Sequence, residues 1–394
     1  MDDIGADETL QRASARHGRI DDIEVLRAFA ILFTLMQHLR SNLISWSSPM
    51  LDHFVQYFGL STGVDLFFAI SGFVIMRSLI GSLEKSASRD EFINATISFW
   101  VRRAWRILPS SWLWLGVILV LTAAFNRSGV FGLFHSTLES ALSALLNVAN
   151  FRLAYDRESF NNAVAPYWSL SLEEQFYLAL PVAVFLFRRR LPYVLGAWVL
   201  IGLFLPRMQS MALSMTRTEG LLLGVLLALW TRHPSYRLFE PTGLKNHRFA
   251  RIFVVTLLLL CLAMVNPDGA PLVPFAPGLV SLIGAALVFI ASYDQDYLWA
   301  DSWLKKAMLW VGSRSYAMYL IHMPVYRFTR ELWWRLEPMG TVFDGRFTVR
   351  YLLTAGVLIV VLSELNYRLV EMPLRNHGAR IAARLSARTA EAVG

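Results

Sequence analysis

A single cysteine stands among 394 residues, Cys261 in the apolar run VVTLLLLCLAMV. That excludes an intrachain disulfide, a CxxC pair and any cysteine-based metal site, and it leaves Cys261 as a small hydrophobe in a helix. Charge is scarce as well. Only 17% of residues are Asp, Glu, Lys or Arg, whereas 55% are hydrophobic, with 13 Trp, 13 Tyr and 26 Phe. A soluble domain of this size does not carry that balance, so the composition places the chain among polytopic membrane proteins. The first twenty residues are polar and lack a signal-peptide core, which reads as a flexible cytoplasmic leader before a first span that directs its own insertion. No internal repeat or low-complexity tract divides the chain. Ser71, in FFAISGF, lacks the glycine on both sides that a nucleophile elbow carries. The formal net charge is +8, but the basic residues fall in short clusters between apolar runs, where they orient membrane spans and do not bind nucleic acid.

Apolar runs long enough to cross a bilayer lie near residues 23–44, 60–80, 107–125, 170–187, 191–206, 216–231, 250–266, 275–293, 307–326 and 350–370. The expected fold is therefore all-α, a polytopic membrane protein with about ten transmembrane helices. With both termini in the cytoplasm, every inner connection is basic, including Arg102, Arg103 and Arg106, the triplet Arg188 to Arg190, and the tail with Arg380 and Arg384. An eleventh candidate, residues 129–151, carries His135, Glu139 and several serines at helical spacing and reads as amphipathic, not spanning. One domain is expected over residues 21–375, with a cytoplasmic leader at 1–20 and a cytoplasmic tail at 376–394.

Within the first run, Arg27 and His38 are separated by ten residues. Eleven residues of helix turn through about 1100°, three turns plus roughly 20°, so both side chains emerge on one face about 16 Å apart. An arginine inside a membrane span is unfavourable by about 2.5–3.5 kcal/mol and marks a polar pathway. On the ten-span topology Arg27 lies toward the cytoplasmic end and His38 toward the outer leaflet. Near the outer layer also come Tyr167 to Glu174, Arg217, Glu219 and His322. Near the inner layer, Arg102, Arg103 and Arg106 sit just before the third run and suit a phosphate-bearing ligand.

These residues carry a resemblance. DLFFAISGFVI at 65–75, RRAWRILPSSW at 102–112, YWSLSLEEQFYLALP at 167–181, RTEGLLLGVLLA at 217–228 and SYAMYLIHMPV at 315–325, together with the Arg27 and His38 pair, follow the order of the membrane-bound acyltransferase 3 family over residues 20–375. The chain resembles that family of bacterial enzymes, which acylate O-antigens, exopolysaccharides and Nod factors. The resemblance implies an inner-membrane enzyme that takes an acyl group, by default acetyl, from cytoplasmic acyl-CoA and delivers it to a carbohydrate hydroxyl, with envelope polysaccharide-assembly proteins and membrane lipid as partners and no metal. A macrolide or lipo-oligosaccharide acceptor stands as an alternative. So does a transporter, for which ten spans and buried charges are equally natural. Some relatives continue into an SGNH-type domain, and the expectation here is the stand-alone form.

Roles follow for individual residues. His38 suits a general base, because imidazole titrates near neutrality and can take the proton of an attacking hydroxyl. Arg27 either fixes the donor, stabilises an oxyanion, or merely snorkels. The resemblance points to Arg103 and Arg106 as the couple for coenzyme A phosphates, with Arg102 beside them, and prefers Glu174 over Glu173 as the carboxylate facing the cavity. Ser71 and Gly72 are assigned to close packing along the donor tunnel. Tyr167 and Trp168 are either interfacial aromatics or a platform for a sugar ring, and Arg217 and His322 are candidates for acceptor binding.

Overall fold

The computed structural model describes residues 19–47, 49–83, 88–161, 163–266 and 273–393, and the leader reading at 1–20 falls almost wholly outside them. No strand occurs among the described residues, which contain one isolated bridge between Arg40 and Ile44. Twelve helices carry the architecture: α1 Asp21–Asn42, α2 Thr62–Leu83, α3 Arg89–Ala124, α4 Tyr167–Phe187, α5 Leu191–Leu203, α6 Glu219–Trp230, α7 Arg248–Met264, α8 Ala276–Ala291, α9 Trp303–Ser313, α10 Ser315–Leu336, α11 Thr348–Asn366 and α12 Met372–Val393. Five helical stretches are long and apolar enough to cross a membrane: Thr62–Gly81, Arg89–Ala124, Tyr167–Leu203, Met211–Trp230 and Gly345–Ser386. The protein is thus an all-helical, multi-pass membrane protein. The amphipathic segment at 129–151 forms two short helices, Phe134–Leu145 and Ala149–Tyr155, too short to span.

Two expected spans take a different form. The third begins eighteen residues earlier than the apolar run, because Ser88 caps the helix by accepting the Glu91 amide at 3.2 Å, with Asp90 and Glu91 in the first turn. Arg102, Arg103 and Arg106 consequently lie inside a continuous 36-residue helix, with Pro109 in its interior. The ninth expected span, 307–326, is two helices broken at Arg314. There the guanidinium turns sideways to Glu364, with Nε donating at 2.9 Å and Nη2 at 3.3 Å, and stacks on Tyr367. The segment read as a tail also has structure. It forms α12, whose Gly378 backs onto Trp105 and whose Ser386 meets Ser98 at 3.0 Å, so it lies along the N-terminal half of α3.

Long-range contacts set where α1 sits. Ile20 offers no side-chain cap, and Asp294 takes that part from the loop after α8, accepting the amides of Asp21 at 2.8 Å and Asp22 at 3.3 Å. Asp22 in return accepts the Tyr297 amide at 3.0 Å. At its other end α1 loses helical geometry at Arg40 (ψ 136°) and Ser41 (φ 68°), so His38 stands in the last regular turn.

The helix pair α2 and α6 forms the closest crossing. A Cβ at Gly72 would lie 1.9 Å from the Leu221 carbonyl oxygen, and one at Gly224 would lie 2.2 Å from that of Ala69. Small residues let two backbones approach to this distance without an intervening side chain. Gly72→Ala should therefore cost about 1–3 kcal/mol through overpacking and lower the unfolding temperature in detergent. Gly116→Ala, where a Cβ meets nothing within 4 Å, should not lower it.

Candidate active site

Between two apolar clusters, one built mainly on α1, α2, α6 and α8 and the other on α10 and α11, lies a cavity of about 810 Å³. Six arginines and four glutamates line it, a density of charge that an apolar helical body does not bury without use. α1 contributes Glu24 and Arg27, α2 Ser71 and Arg77, α3 Arg103 and Arg106, and α4 Glu173, Glu174 and Tyr177. The break between α9 and α10 supplies Gly312, Ser313, Ser315 and Tyr316. Past α11 the backbone makes a π-helical turn, Tyr367–Glu371, which brings Tyr367, Glu371 and Arg375 into the wall.

The carboxylates here divide into satisfied and unsatisfied oxygens. Arg27 donates to Glu24 at 2.8 Å. Glu173 is held by Tyr177, whose hydroxyl donates at 2.6 Å, and by Ser71 at 3.1 Å, while the Arg103 guanidinium lies over the Tyr177 ring at 5.4 Å. Glu24 Oε2, Glu174 Oε1 and Glu371 Oε2 are buried without a hydrogen-bond partner. A buried carboxylate oxygen left so is costly unless a ligand donates to it. Both Glu173 and Glu174 line the cavity, where Glu174 alone was expected to face it.

At the other end the wall contains Val64, Phe67, Ser169 and Tyr319. The Tyr319 hydroxyl is fixed between Ser169 Oγ at 2.7 Å and the Pro166 carbonyl at 3.0 Å. Its ring lies 5.7 Å from that of His322, centroid to centroid, and His322 Nε2 is 3.0 Å from His38 Nδ1. The two imidazoles are stacked at 5.1 Å and 26°. Arg27, at one end, and His38, beside the other, are eleven residues apart on α1, a rise of about 16 Å.

His38 and His322 are not part of this wall and adjoin it only through Tyr319, and the remaining sequence candidates also lie outside it. Arg102 is not part of it, although Arg103 and Arg106 are. Gly72 serves the α2–α6 crossing, whereas Ser71 next to it faces the cavity. Tyr167 is buried and donates to the Ser111 carbonyl at 3.2 Å. Arg217 forms a bidentate pair with Asp65, Nε to Oδ1 at 2.6 Å and Nη2 to Oδ2 at 3.2 Å, and its guanidinium covers the Trp168 ring at 4.7 Å. Sequence reasoning passed over Tyr177, Tyr319, Glu371 and Arg375. Tyr177 could have been found at four residues from Glu173, and Tyr319 at three from His322, by helical spacing alone. Glu371 and Arg375 depend on the π turn, for which the sequence carries no signal.

The Asp65–Arg217 pair makes a direct prediction, since its side chains are only 8% and 11% exposed. Asp65→Asn should destabilise by about 3 kcal/mol or more by leaving a buried guanidinium uncompensated, and Asp65→Leu combined with Arg217→Met should recover most of that loss in thermal unfolding.

The family model described as an acyltransferase domain matches residues 20–363. YrhL of Bacillus subtilis (strain 168) is 28% identical over 395 residues, covering 93% of this chain and 57% of its own length. The peptidoglycan O-acetyltransferase OatA of Listeria monocytogenes serovar 1/2a is 26% identical over 396 residues, with 93% and 58% covered. The O-acetyltransferase OatA of Staphylococcus aureus (strain NCTC 8325 / PS 47) is 27% identical over 394 residues, with 92% and 58% covered. The chain thus spans less than two thirds of the length of these relatives. No solved structure matches. A family match over residues 20–363, on the helices that build the charged cavity, means that the chain belongs to the acyltransferase 3 family.

Proposed function

We propose that this protein is an acyl-CoA-dependent O-acetyltransferase of the bacterial inner membrane that acetylates a hydroxyl of a cell-envelope carbohydrate. The observation that carries the reading is the cavity itself, with arginines at one end and Tyr319, backed by the histidine pair, at the other. Ten spans with both termini in the cytoplasm would put the arginine end on the side where acyl-CoA is made. The residues present fit such a donor. Arg103, Arg106 and Arg375 would take its phosphates, since guanidinium matches phosphate oxygens in a bidentate manner. Arg27, held by Glu24, would steady the donor near that end and is too far from His38 to meet an oxyanion there. The unpartnered oxygen of Glu174 would accept an amide N–H from the pantetheine arm.

At the histidine end the acceptor arrives from the outer side. His38 takes the proton of the attacking hydroxyl, that oxygen bonds to the thioester carbonyl carbon, the C–S bond breaks, and the coenzyme A thiolate leaves with the proton returned by the imidazolium. His38 closes the helical part of α1, where the negative end of the helix dipole favours that transient positive charge. The names of two relatives, YrhL and the Listeria OatA, make peptidoglycan the first acceptor to test, with O-antigen and exopolysaccharide sugars next. Envelope polysaccharide-assembly proteins would present the acceptor.

In proteoliposomes supplied with acetyl-CoA and glycan fragments, Arg103→Ala and Arg106→Ala should each raise the KM for acetyl-CoA about tenfold or more, the loss expected for a charge-assisted hydrogen bond. His38→Ala should lower kcat by about 10²–10⁴, the usual contribution of a general base. O-acetyl groups counted by mass spectrometry provide the readout. Wild type that acetylates no envelope glycan would overturn the proposal.

A further inference from the structure

We infer that His322 is the positioning residue for His38, fixing which of its ring nitrogens is basic. The inference rests on the reading of His38 as general base and concerns a contact that the order of the sequence does not reveal, since the two residues are 284 positions apart.

The tautomers follow from one carbonyl. His322 Nδ1 lies 3.2 Å from the Met318 carbonyl oxygen, one turn back on α10. A carbonyl oxygen only accepts, so Nδ1 must carry the hydrogen. In a neutral imidazole the other nitrogen is then an acceptor, and His322 Nε2 presents its lone pair to His38 Nδ1 at 3.0 Å. His38 Nδ1 must in turn be the protonated nitrogen, which leaves Nε2 with the lone pair. The opposite assignment would set the lone pair of His322 Nδ1 against the lone pairs of the carbonyl and forfeit that hydrogen bond.

His322 is fully buried, whereas His38 is partly exposed, as a base that meets an acceptor must be. The buried ring is braced on both sides. Tyr319 lies at 5.7 Å and Tyr326 at 5.9 Å between centroids, and the Tyr326 hydroxyl donates to the Leu35 carbonyl at 3.0 Å, tying α10 to α1 three residues before His38. When His38 gains a proton from the acceptor, both its nitrogens become donors, and Nδ1–H still finds the His322 lone pair. The bond His322 makes therefore persists through the proton transfer and holds the ring in place. A second-sphere partner of this kind acts on kcat and leaves donor binding alone.

Four proteins test this: wild type, His38→Ala, His322→Phe and His322→Gln, each assayed for kcat and for the KM of acetyl-CoA and checked for thermal unfolding in detergent. Phe keeps the stacked ring and removes both hydrogen bonds. Gln keeps a donor for the Met318 carbonyl and an acceptor for His38 Nδ1. His322→Phe should lose about 10²-fold in kcat, with the KM for acetyl-CoA within about twofold of wild type, and His322→Gln should regain at least about tenfold of that loss. Folded His322→Phe with wild-type kcat, beside an inactive His38→Ala, would overturn the positioning role alone. Equal losses in Phe and Gln with unfolding temperatures unchanged would do the same. Activity retained in His38→Ala would instead remove the general-base reading on which the inference stands.

Discussion

A charged side chain inside an apolar helical body is tolerated only when its partners are complete, and most of the buried charge in this protein meets that condition. Arg207 is locked to Glu219 through Nε at 2.9 Å and a second, shorter Nη2 contact. Arg217 is locked to Asp65. Glu331, fully buried, accepts from the amides of Arg127 and Ser128, from the Ser128 hydroxyl and from Arg335. Within the cavity the accounting is different. Glu174 and Glu371 keep an oxygen without a partner, and Arg103, Arg106 and Arg375 crowd one end of a wall that also carries Arg19, Arg27 and Arg77. Unpartnered carboxylate oxygens and crowded arginines meet in this cavity, and a polyanionic donor carrying amide groups would supply the missing partners.

Departures from regular helix place those groups. α1 ends its helical geometry just after His38, α9 and α10 part at Arg314, and a π turn follows α11. Each opens backbone or side chains toward the same cavity or its histidine end, while the crossing at Gly72 and Gly224 seats α2, which forms one side of it, against α6. The regular helices supply rigidity, and their interruptions supply the chemistry.

Much of this was legible in the sequence. The hydrophobic runs located the helices, because the pattern of burial in lipid is strong and local. The one-face placement of Arg27 and His38 followed from the helix repeat, and Arg103, Arg106, Ser71 and Glu174 do line the cavity. What could not be read were long-range pairings and local irregularities. Arg102 is separated from Arg103 only by which way α3 turns. Arg217 looked available for an acceptor until Asp65, 152 positions away, was seen to hold it. The apparently continuous span is broken at Arg314, whose side chain pairs with Glu364, 50 positions away. The bond between His38 and His322 joins two motifs that the sequence had already singled out, but nothing in either motif says that they meet.

In the proposed reaction one path runs from the arginine end to Tyr319 beside the histidine pair, and the donor lies along it. A cryo-electron microscopy structure with a non-transferable thioether analogue of acetyl-CoA tests this most directly. Phosphate density is expected within hydrogen-bonding distance of Arg103 and Arg106, with the sulfur beside Tyr319. Phosphates bound away from those arginines, or a sulfur left at the Arg27 end of the cavity, would contradict it.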